Sequence, residues 1–295
     1  MSIKLSKMEI IALRQLCQNN MPAGKLAEKL TAKPSFISRV LKSLESKGLV
    51  LLEKQGTSRI ASLSPASHAQ AFRKLSDSRP NSKIENWICG YAMDILAIAS
   101  EGAETSLLLE ETGCSPTTLY KSLRRLISAG AISRKKGKIE VTNNIVKEFG
   151  SSYADNLQLL AQKNVRGFNT SIRIRKHVVL RTDAKEVPEH FTQTGLSALA
   201  NAGLEAALTS YSDFYFNLDG QKRNVSIEEA FIHALLLTTL QQHQDMPVLG
   251  IFFAKNRKRL NLAALKSMAK KYLVETAFEE IRGKAEFYEK MKGFE

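Results

Sequence analysis

Two stretches of the chain combine hydroxyl and basic side chains at a spacing that suits nucleic-acid binding. In the first stretch, Ser35, Ser38, Arg39 and Lys42 recur at helical spacing, and Lys33 lies just before them. On a helix in a DNA major groove, hydroxyl groups and arginine can reach base edges while lysine holds phosphates. The pattern therefore predicts that these side chains contact DNA.

The second stretch has the same chemistry with more positive charge. From Lys121 to Lys138 the chain carries seven basic residues and no acidic one. The other side chains predicted to contact DNA are Arg59 and, in this stretch, Thr117, Thr118, Tyr120, Lys121, Arg124, Arg125, Arg134, Lys135, Lys136 and Lys138. A basic helix face is also typical of a solvated surface, and Ser35 or Thr117 could serve only as a helix N-cap.

The elements that would position these residues occur twice, at an offset of 82 residues. Pro34 and Gly48 of the first copy align with Pro116 and Gly130 of the second, and the apolar positions between them keep the same register. Each copy predicts three helices followed by a two-stranded wing. The third helix begins at the proline, which the first turn of a helix tolerates, and ends at the glycine, which suits a left-handed position.

The apolar pattern of the third helix leaves its polar face free. Ile37, Val40, Leu41 and Leu44 fall at i, i+3, i+4 and i+7, which predicts one buried stripe. In the first wing, a turn is predicted at Gln55–Ser58. The hydroxyl and basic side chains then lie opposite the stripe.

Both copies resemble the core of MarR-like winged helix-turn-helix transcription regulators. The resemblance rests on LAEKLTAKPSFISRVLKSLESKGLV at 26–50 and on LLLEETGCSPTTLYKSLRRLISAGAI at 107–132, and it covers about residues 6–64 and 90–142. It implies DNA binding through the side chains named above and no catalytic role for them. Winged-helix domains also serve as protein–protein modules, so a protein-binding scaffold is an alternative.

Charge supports a nucleic-acid partner, and its distribution is uneven. The 295 residues carry 43 Lys and Arg against 29 Asp and Glu, a formal net charge of +14. Residues 1–76 hold 13 basic and 4 acidic side chains, whereas basic and acidic side chains balance in 84–150. Basic proteins often bind nucleic acid, but such a charge also fits solubility or a membrane surface.

Other features narrow the class of protein. No stretch approaches the ~18–20 apolar residues of a membrane span, and the N-terminus lacks a hydrophobic signal core. Cys17, Cys89 and Cys114 form no CxxC pair. We therefore expect a cytoplasmic protein with no disulfide framework, no membrane partner and no cofactor or metal.

The C-terminal part of the chain predicts a small α/β domain. Strands are expected at 171–181, 211–218 and 248–254, and helices at 196–204, 227–242, 260–272 and 275–291, with a further helix at 145–163 leading into them. Thr192–Leu199 followed by Ser212–Tyr215 resembles a nucleotidyltransferase signature in which Leu196 separates Gly195 from Ser197 and Tyr215 replaces the second carboxylate. The same region is similar to the C-terminal domain of abortive-infection (type IV) antitoxins.

The sequence thus predicts an α+β multidomain protein with two tandem winged helix-turn-helix domains, at 1–76 and 84–150, and an α/β sensing or interaction domain at 160–295. The predicted function is sequence-specific regulation of transcription on double-stranded DNA. A protein partner or a small effector is expected at the C-terminal domain, and the chain is expected to be a monomer or a homodimer. The alternatives are a replication initiator with tandem winged helices and a nucleic-acid-processing enzyme with a nucleotidyltransferase-like domain.

Overall fold

The chain folds into α-helices and short antiparallel sheets and has a mixed α+β fold. The computed structural model describes residues 2–56, 58–204, 210–240 and 245–292, with side chains up to residue 286. The chain divides into two compact units, Met1–Gln162 and Lys163–Glu295. The first unit contains both copies of the sequence repeat.

The first repeat consists of three helices and three short strands. Its elements are α1 (Lys7–Gln18), β1 (Met21–Pro22), α2 (Ala23–Lys29), α3 (Pro34–Ser46), β2 (Val50–Gln55) and β3 (Ser58–Leu63). The strands form an antiparallel sheet in the order β1-β3-β2. The predicted turn at Gln55–Ser58 includes position 57, which lies outside the described residues. Helix α4 (Ser67–Asp77) follows the sheet.

The second repeat has the same element order. It comprises α5 (Ala92–Ile98), β4 (Ala103–Glu104), α6 (Thr105–Thr112), α7 (Pro116–Ser128), β5 (Ile132–Lys135) and β6 (Lys138–Val141). Its strands pair in the order β4-β6-β5, which matches the first sheet position for position. The internal repeat seen in the sequence is therefore a repeat of structure.

Helix α8 (Asn144–Gln162) packs against α4 and against α5, so it contacts elements of both repeats. Phe149 meets Phe72 of α4 edge to face, with ring centroids 5.4 Å apart, and Asn156 donates to the Lys47 carbonyl over 3.0 Å. The domain boundary expected near residue 150 falls inside this helix. Tyr153 and Leu157, which lie beyond that boundary, are buried in the first unit.

The second unit contains a four-stranded antiparallel sheet, of which three strands precede the first helix in the chain and the fourth follows it. Its strands are β7 (Asn169–Ile174), β8 (His177–Thr182), β9 (Thr192–Gln193) and β10 (Ser212–Asn217), in the order β7-β8-β10-β9. Its helices are α9 (Gly195–Asn201), α10 (Ile227–Leu240), α11 (Met246–Asn256), α12 (Leu262–Lys271) and α13 (Glu275–Lys292). All strand pairs of this sheet are antiparallel. The unit therefore has an α+β fold rather than the α/β fold expected from the sequence.

Two element predictions in this unit are wrong. The segment 248–254 is not a strand but part of α11, where Leu249, Phe252 and Phe253 are buried at helical spacing behind Pro247 in the first turn. The segment 171–181 is not one strand but two, joined at Arg175, whose φ is +57°. Residues 241 and 242 of the predicted helix 227–242 lie outside the described residues.

No helix in the described part of the chain is both long and apolar enough to cross a membrane.

Candidate nucleic-acid interface

Helix α3 turns its apolar stripe inward and its polar face to solvent. Ile37, Val40, Leu41 and Leu44 are buried, as their spacing predicts. The chain leaves the helix at Gly48, whose φ is +70°, so the predicted left-handed position is confirmed. A side chain at this position would also come within 2.9 Å of Asn156 on α8.

The five side chains predicted around α3 are all exposed. Lys33 occupies the N-cap position through its backbone, so Ser35 is not the cap and its hydroxyl stays available. Ser38, Arg39 and Lys42 continue along the same side of the helix. These groups together form a polar and basic strip that could lie against a DNA groove.

The sequence reasoning missed one exposed aromatic residue on α3. Phe36 keeps 38% of its surface exposed, and the Arg39 guanidinium lies 5.9 Å from its ring centroid. The signal was present in the sequence, because Phe36 falls outside the apolar stripe. An exposed phenylalanine beside an arginine offers an apolar contact to a thymine methyl group next to a base-reading donor.

A buried ion pair fastens α3 to α1. Lys47 Nζ lies 2.6 Å from Glu9 Oε1, and the Ser43 hydroxyl donates to the same oxygen over 2.8 Å. Burial acts to raise the pKa of Glu9, but the hydrogen bonds from Lys47, the Ser6 backbone and Ser43 outweigh it and leave the pKa below its usual value. Glu9 also completes a capping box with Ser6 at the start of α1.

Helix α7 has the same arrangement in the second repeat. Leu119, Leu123 and Leu126 are buried, and Gly130 follows the helix with a φ of +63°. Ser115 is the N-cap and accepts from the Thr118 backbone over 3.3 Å, so Thr117 is not the cap.

The predicted contact residues of α7 differ in exposure. Thr118 is half-buried, and its hydroxyl lies 2.9 Å from the Ser115 hydroxyl, which draws it into the cap. The remaining ones are exposed: Thr117, Tyr120, Lys121, Arg124 and Arg125. The accessible part of this face therefore carries one hydroxyl, one phenol and three basic groups.

Each hairpin that the sequence predicts as a wing, β2–β3 and β5–β6, sets two positive charges directly opposite each other. Lys135 pairs with Lys138 across a two-residue turn, in which Lys136 and Gly137 have φ angles of +48° and +83°. In the first wing, Lys54 pairs with the exposed Arg59. Like charges opposite each other destabilise a strand pair, and an anion bound between them removes that cost. Lys54 was missed by the sequence reasoning, although the hairpin register predicts it.

Positive charge is in excess on this candidate interface, although Glu104 lies opposite Lys138 on the neighbouring strand. Among the residues that the structure describes, none of the lysines and arginines predicted to contact DNA forms a salt bridge. Arg134, Lys135, Lys136 and Lys138 are exposed around one turn. Such a surface attracts a polyanion.

In the second unit, Asp213 is enclosed rather than open to a metal ion. Its carboxylate accepts from Arg181 Nε over 2.7 Å and from Arg181 Nη2 over 3.0 Å, and it also accepts from the Leu196 backbone over 2.8 Å. Burial acts to lower the pKa of Arg181, but the bonds to Asp213 and Asp245 raise it overall. Gly195, with a φ of +56°, is required here because a Cβ would fall 2.4 Å from Asp213 Oδ2. The carboxylate of the segment resembling a nucleotidyltransferase signature is therefore held in a buried ion pair with Arg181.

A buried group of rings and charges also lies in the second unit. Tyr215 hydrogen-bonds with His177 over 2.7 Å, Tyr272 donates to Glu229 over 2.5 Å, and His233 hydrogen-bonds with Thr194 over 2.8 Å. Burial lowers the pKa of His233 to about 3, so its ring is neutral near pH 7. Within the described residues, no group of three or more histidine, cysteine or acidic side chains has the arrangement of a metal site.

In comparisons with known proteins, the chain matches no family model, no curated protein and no solved structure.

Proposed function

We propose that this protein is a sequence-specific, DNA-binding regulator of transcription that uses two winged helix-turn-helix units in one chain. The order helix, strand, helix, helix, strand, strand, with the first strand paired to the third, is the order of a winged helix, and both repeats have it. In this reading α3 and α7 are the recognition helices. The β2–β3 and β5–β6 hairpins are the wings.

The observation that carries the proposal is the exposed charge of the second repeat. Arg124 and Arg125 on α7 are exposed and free of salt bridges within the described residues, and the adjoining wing sets Lys135 against Lys138. Glu104, opposite Lys138 on the other side, offsets part of this charge, but Arg124, Arg125 and the Lys135–Lys138 pair still leave an excess of positive charge on the surface. A phosphate backbone supplies the missing negative charge.

The packing of the first unit supports a single, continuous DNA site. Helix α8 contacts α4 and α5, and Gly90 donates to the Leu5 carbonyl over 2.8 Å, so the two repeats are fastened to each other at several points. Their recognition helices then keep a fixed spacing. A fixed spacing between reading helices corresponds to a fixed spacing between the base pairs they read.

The second unit fits the role of a sensing or interaction domain better than that of an enzyme. The carboxylate that a nucleotidyltransferase would use for Mg²⁺ is bound by Arg181 and by the Leu196 backbone. Its partner would be a protein or a small effector. We place the protein in the cytoplasm, where a regulator of this kind meets DNA.

The test is selection of duplexes from a random-sequence pool, followed by affinity measurements on a selected and an unselected duplex at one salt concentration. We expect recovery of a defined sequence, and we expect the double variant Arg124→Ala, Arg125→Ala to lose affinity for it. The matched control is Lys222→Ala, Lys266→Ala, which removes two exposed positive charges from the second unit. Failure to enrich any sequence would refute sequence-specific binding. Enrichment of tandem copies found at a replication origin would favour the replication initiator.

A further inference from the structure

A groove of about 700 Å³ lies beside the end of α7, within the first unit. It runs between the start of α1, the segment that joins the two repeats, and the last turns of α7. Its walls include Lys7, Lys83, Trp87, Arg124 and Arg125. Two of these, Arg124 and Arg125, also belong to the exposed face of α7, so the groove continues the candidate interface.

The groove is strongly positive. Lys7, Lys83, Arg124 and Arg125 are exposed, and none of them forms a salt bridge with a described residue. The acidic residue of the lining, Glu85, faces Arg14 at 3.4 Å, so its charge is already compensated. An anion entering the groove therefore meets an excess of positive charge.

The walls are held in place by contacts between the repeats. Arg14 donates to the Ser82 carbonyl over 2.8 Å and to the Pro80 carbonyl over 3.0 Å, which fixes the joining segment on α1. Arg79 donates to the Ala129 carbonyl over 2.5 Å and lies 5.4 Å from the Trp87 ring centroid. The cations of the joining segment and those of α7 thus keep a defined spacing before any ligand binds.

We propose that this groove holds the sugar–phosphate backbone of the DNA where the duplex leaves α7, and that Lys7 and Lys83 each contact a phosphate. The inference rests on the proposed function, since it extends the interface of α7. A free phosphorylated compound shares the same chemistry. The DNA backbone fits better because the cations stand exposed along an open groove, whereas small-ligand sites are concave and bury most of the ligand.

The contacts would add affinity without adding sequence preference. Phosphate contacts fix the position of a protein on the duplex and carry no base information. Each one adds about 0.9 to the magnitude of the slope of log K against log salt. The joining segment would thus be part of the binding surface and not only a tether.

The first test is a salt series on the full chain, with a selected and an unselected duplex. In the variant Lys7→Gln, Lys83→Gln, the slope should fall by about 1.8, which makes the weakening between 50 and 200 mM salt about twelvefold smaller. Both duplexes should lose affinity by the same factor. The control Lys222→Gln, Lys266→Gln, which removes two exposed lysines of the second unit, should keep the original slope.

The second test uses Trp87, the single tryptophan of the chain, as a reporter in the wall of the groove. Duplex binding should change its fluorescence in the unaltered protein and change it less in the variant. Inorganic tripolyphosphate alone should give no saturable change. A saturable change at micromolar tripolyphosphate would overturn the DNA assignment in favour of a small anion.

The outcomes separate this inference from the function on which it rests. If the unaltered chain binds DNA and the variant keeps the full salt slope, the groove is not part of the interface while the regulator proposal stands. If the unaltered chain shows no salt-dependent DNA binding, the proposed function itself fails.

Discussion

The two repeats share one backbone plan but use the same three positions for opposite purposes. In the first repeat, Glu9, Ser43 and Lys47 form a buried network that fastens α3 to α1. At the offset of 82 residues, Tyr91, Arg125 and Ala129 replace them, and the last two line the positive groove. Polar groups that stabilise the fold in one copy have been exchanged for a cation on the surface in the other.

This difference shows why the net charge of a domain is a poor guide to its interface. The first repeat is rich in basic residues, yet Lys47 is buried in an ion pair with Glu9 and is not available at the surface. Basic and acidic residues balance in 84–150, yet its basic side chains gather on α7 and the wing. The binding of a polyanion depends on the local distribution of charge on the surface and not on the net charge of the domain.

The largest expected effect comes from truncating helix α8, which packs against both repeats. A chain ended after Gly150 loses the buried Tyr153 and Leu157, each worth roughly 1.5–3 kcal/mol of burial. A chain ended after Lys163 keeps all of α8. We expect the longer fragment to unfold cooperatively in urea and the shorter one to be unfolded or insoluble. Equal stability of the two fragments would show that the repeats do not depend on α8.

Removing one partner of the buried network of Glu9, Ser43 and Lys47 should destabilise the first repeat, where this network lies. Lys47→Met leaves Glu9 unpaired at 5% exposure, and we expect the free energy of unfolding to fall by about 3–5 kcal/mol. Urea unfolding of the full chain measures this. As a control in the second repeat, Arg125→Ala, at the position equivalent to Ser43, removes an exposed charge and should leave stability almost unchanged. A loss below 1 kcal/mol for Lys47→Met would contradict the fastening role.

The wings should differ in their share of the salt dependence. Changing Arg134, Lys135, Lys136 and Lys138 to alanine should lower the slope of log K against log salt by about 3.6, because each phosphate contact contributes about 0.9. The corresponding pair in the first wing, Lys54→Ala with Arg59→Ala, should lower it by about 1.8. An unchanged slope in either variant removes that wing from the interface.

The recognition helices should differ in base reading. Arg39→Ala should weaken a selected duplex by about 1–3 kcal/mol and an unselected one much less, because an arginine can bond a guanine through two donors. Its counterpart Lys121 carries a compact point charge, so Lys121→Ala should weaken both duplexes alike. Both affinities are measured at one salt concentration. Equal losses for Arg39→Ala would limit that residue to phosphate contact.

The smallest expected effect is a pH dependence confined to the first repeat. The pKa of Glu9 is lower in the folded chain than its ordinary value of 4.5, so its contribution to stability is present above that value and is lost as the pH falls through the folded pKa. In Lys47→Met, Glu9 stays buried without its cationic partner, so its pKa in the folded chain rises. The contribution of Glu9 to the pH dependence of stability then changes sign. Urea unfolding between pH 7 and pH 3 compares the two proteins. Parallel curves would mean that Glu9 is not coupled to Lys47.

Much of the secondary structure of the first unit could be predicted from short-range sequence patterns. The stripes of α3 and α7, their prolines and the glycines after them are short-range signals, and all appear where the spacing predicts. The Glu9–Lys47 pair could not be predicted, because its members are 38 residues apart and nothing in either sequence neighbourhood specifies the other. The groove likewise depends on Arg79 meeting Ala129 across the repeats.

The second unit was less predictable because its apolar runs are short and bounded by ambiguous signals. The run at 248–254 is apolar enough for a buried strand, and only its packing shows that Leu249, Phe252 and Phe253 share a helical face. Asp213 and Arg181 lie opposite each other on two neighbouring strands that are 32 residues apart in the chain, so no local pattern could show that this carboxylate is already bound.

Joining both repeats through α8 has a consequence for how a cell would respond to the amount of this protein. A regulator that must dimerise before it binds occupies its site with roughly the square of its concentration when it is scarce. If α3 and α7 read DNA as proposed, their place in one compact unit makes the second contact intramolecular as soon as the first has formed. For a chain that binds as a monomer, occupancy would then rise with the first power of concentration, which would give a graded dose response without an assembly threshold.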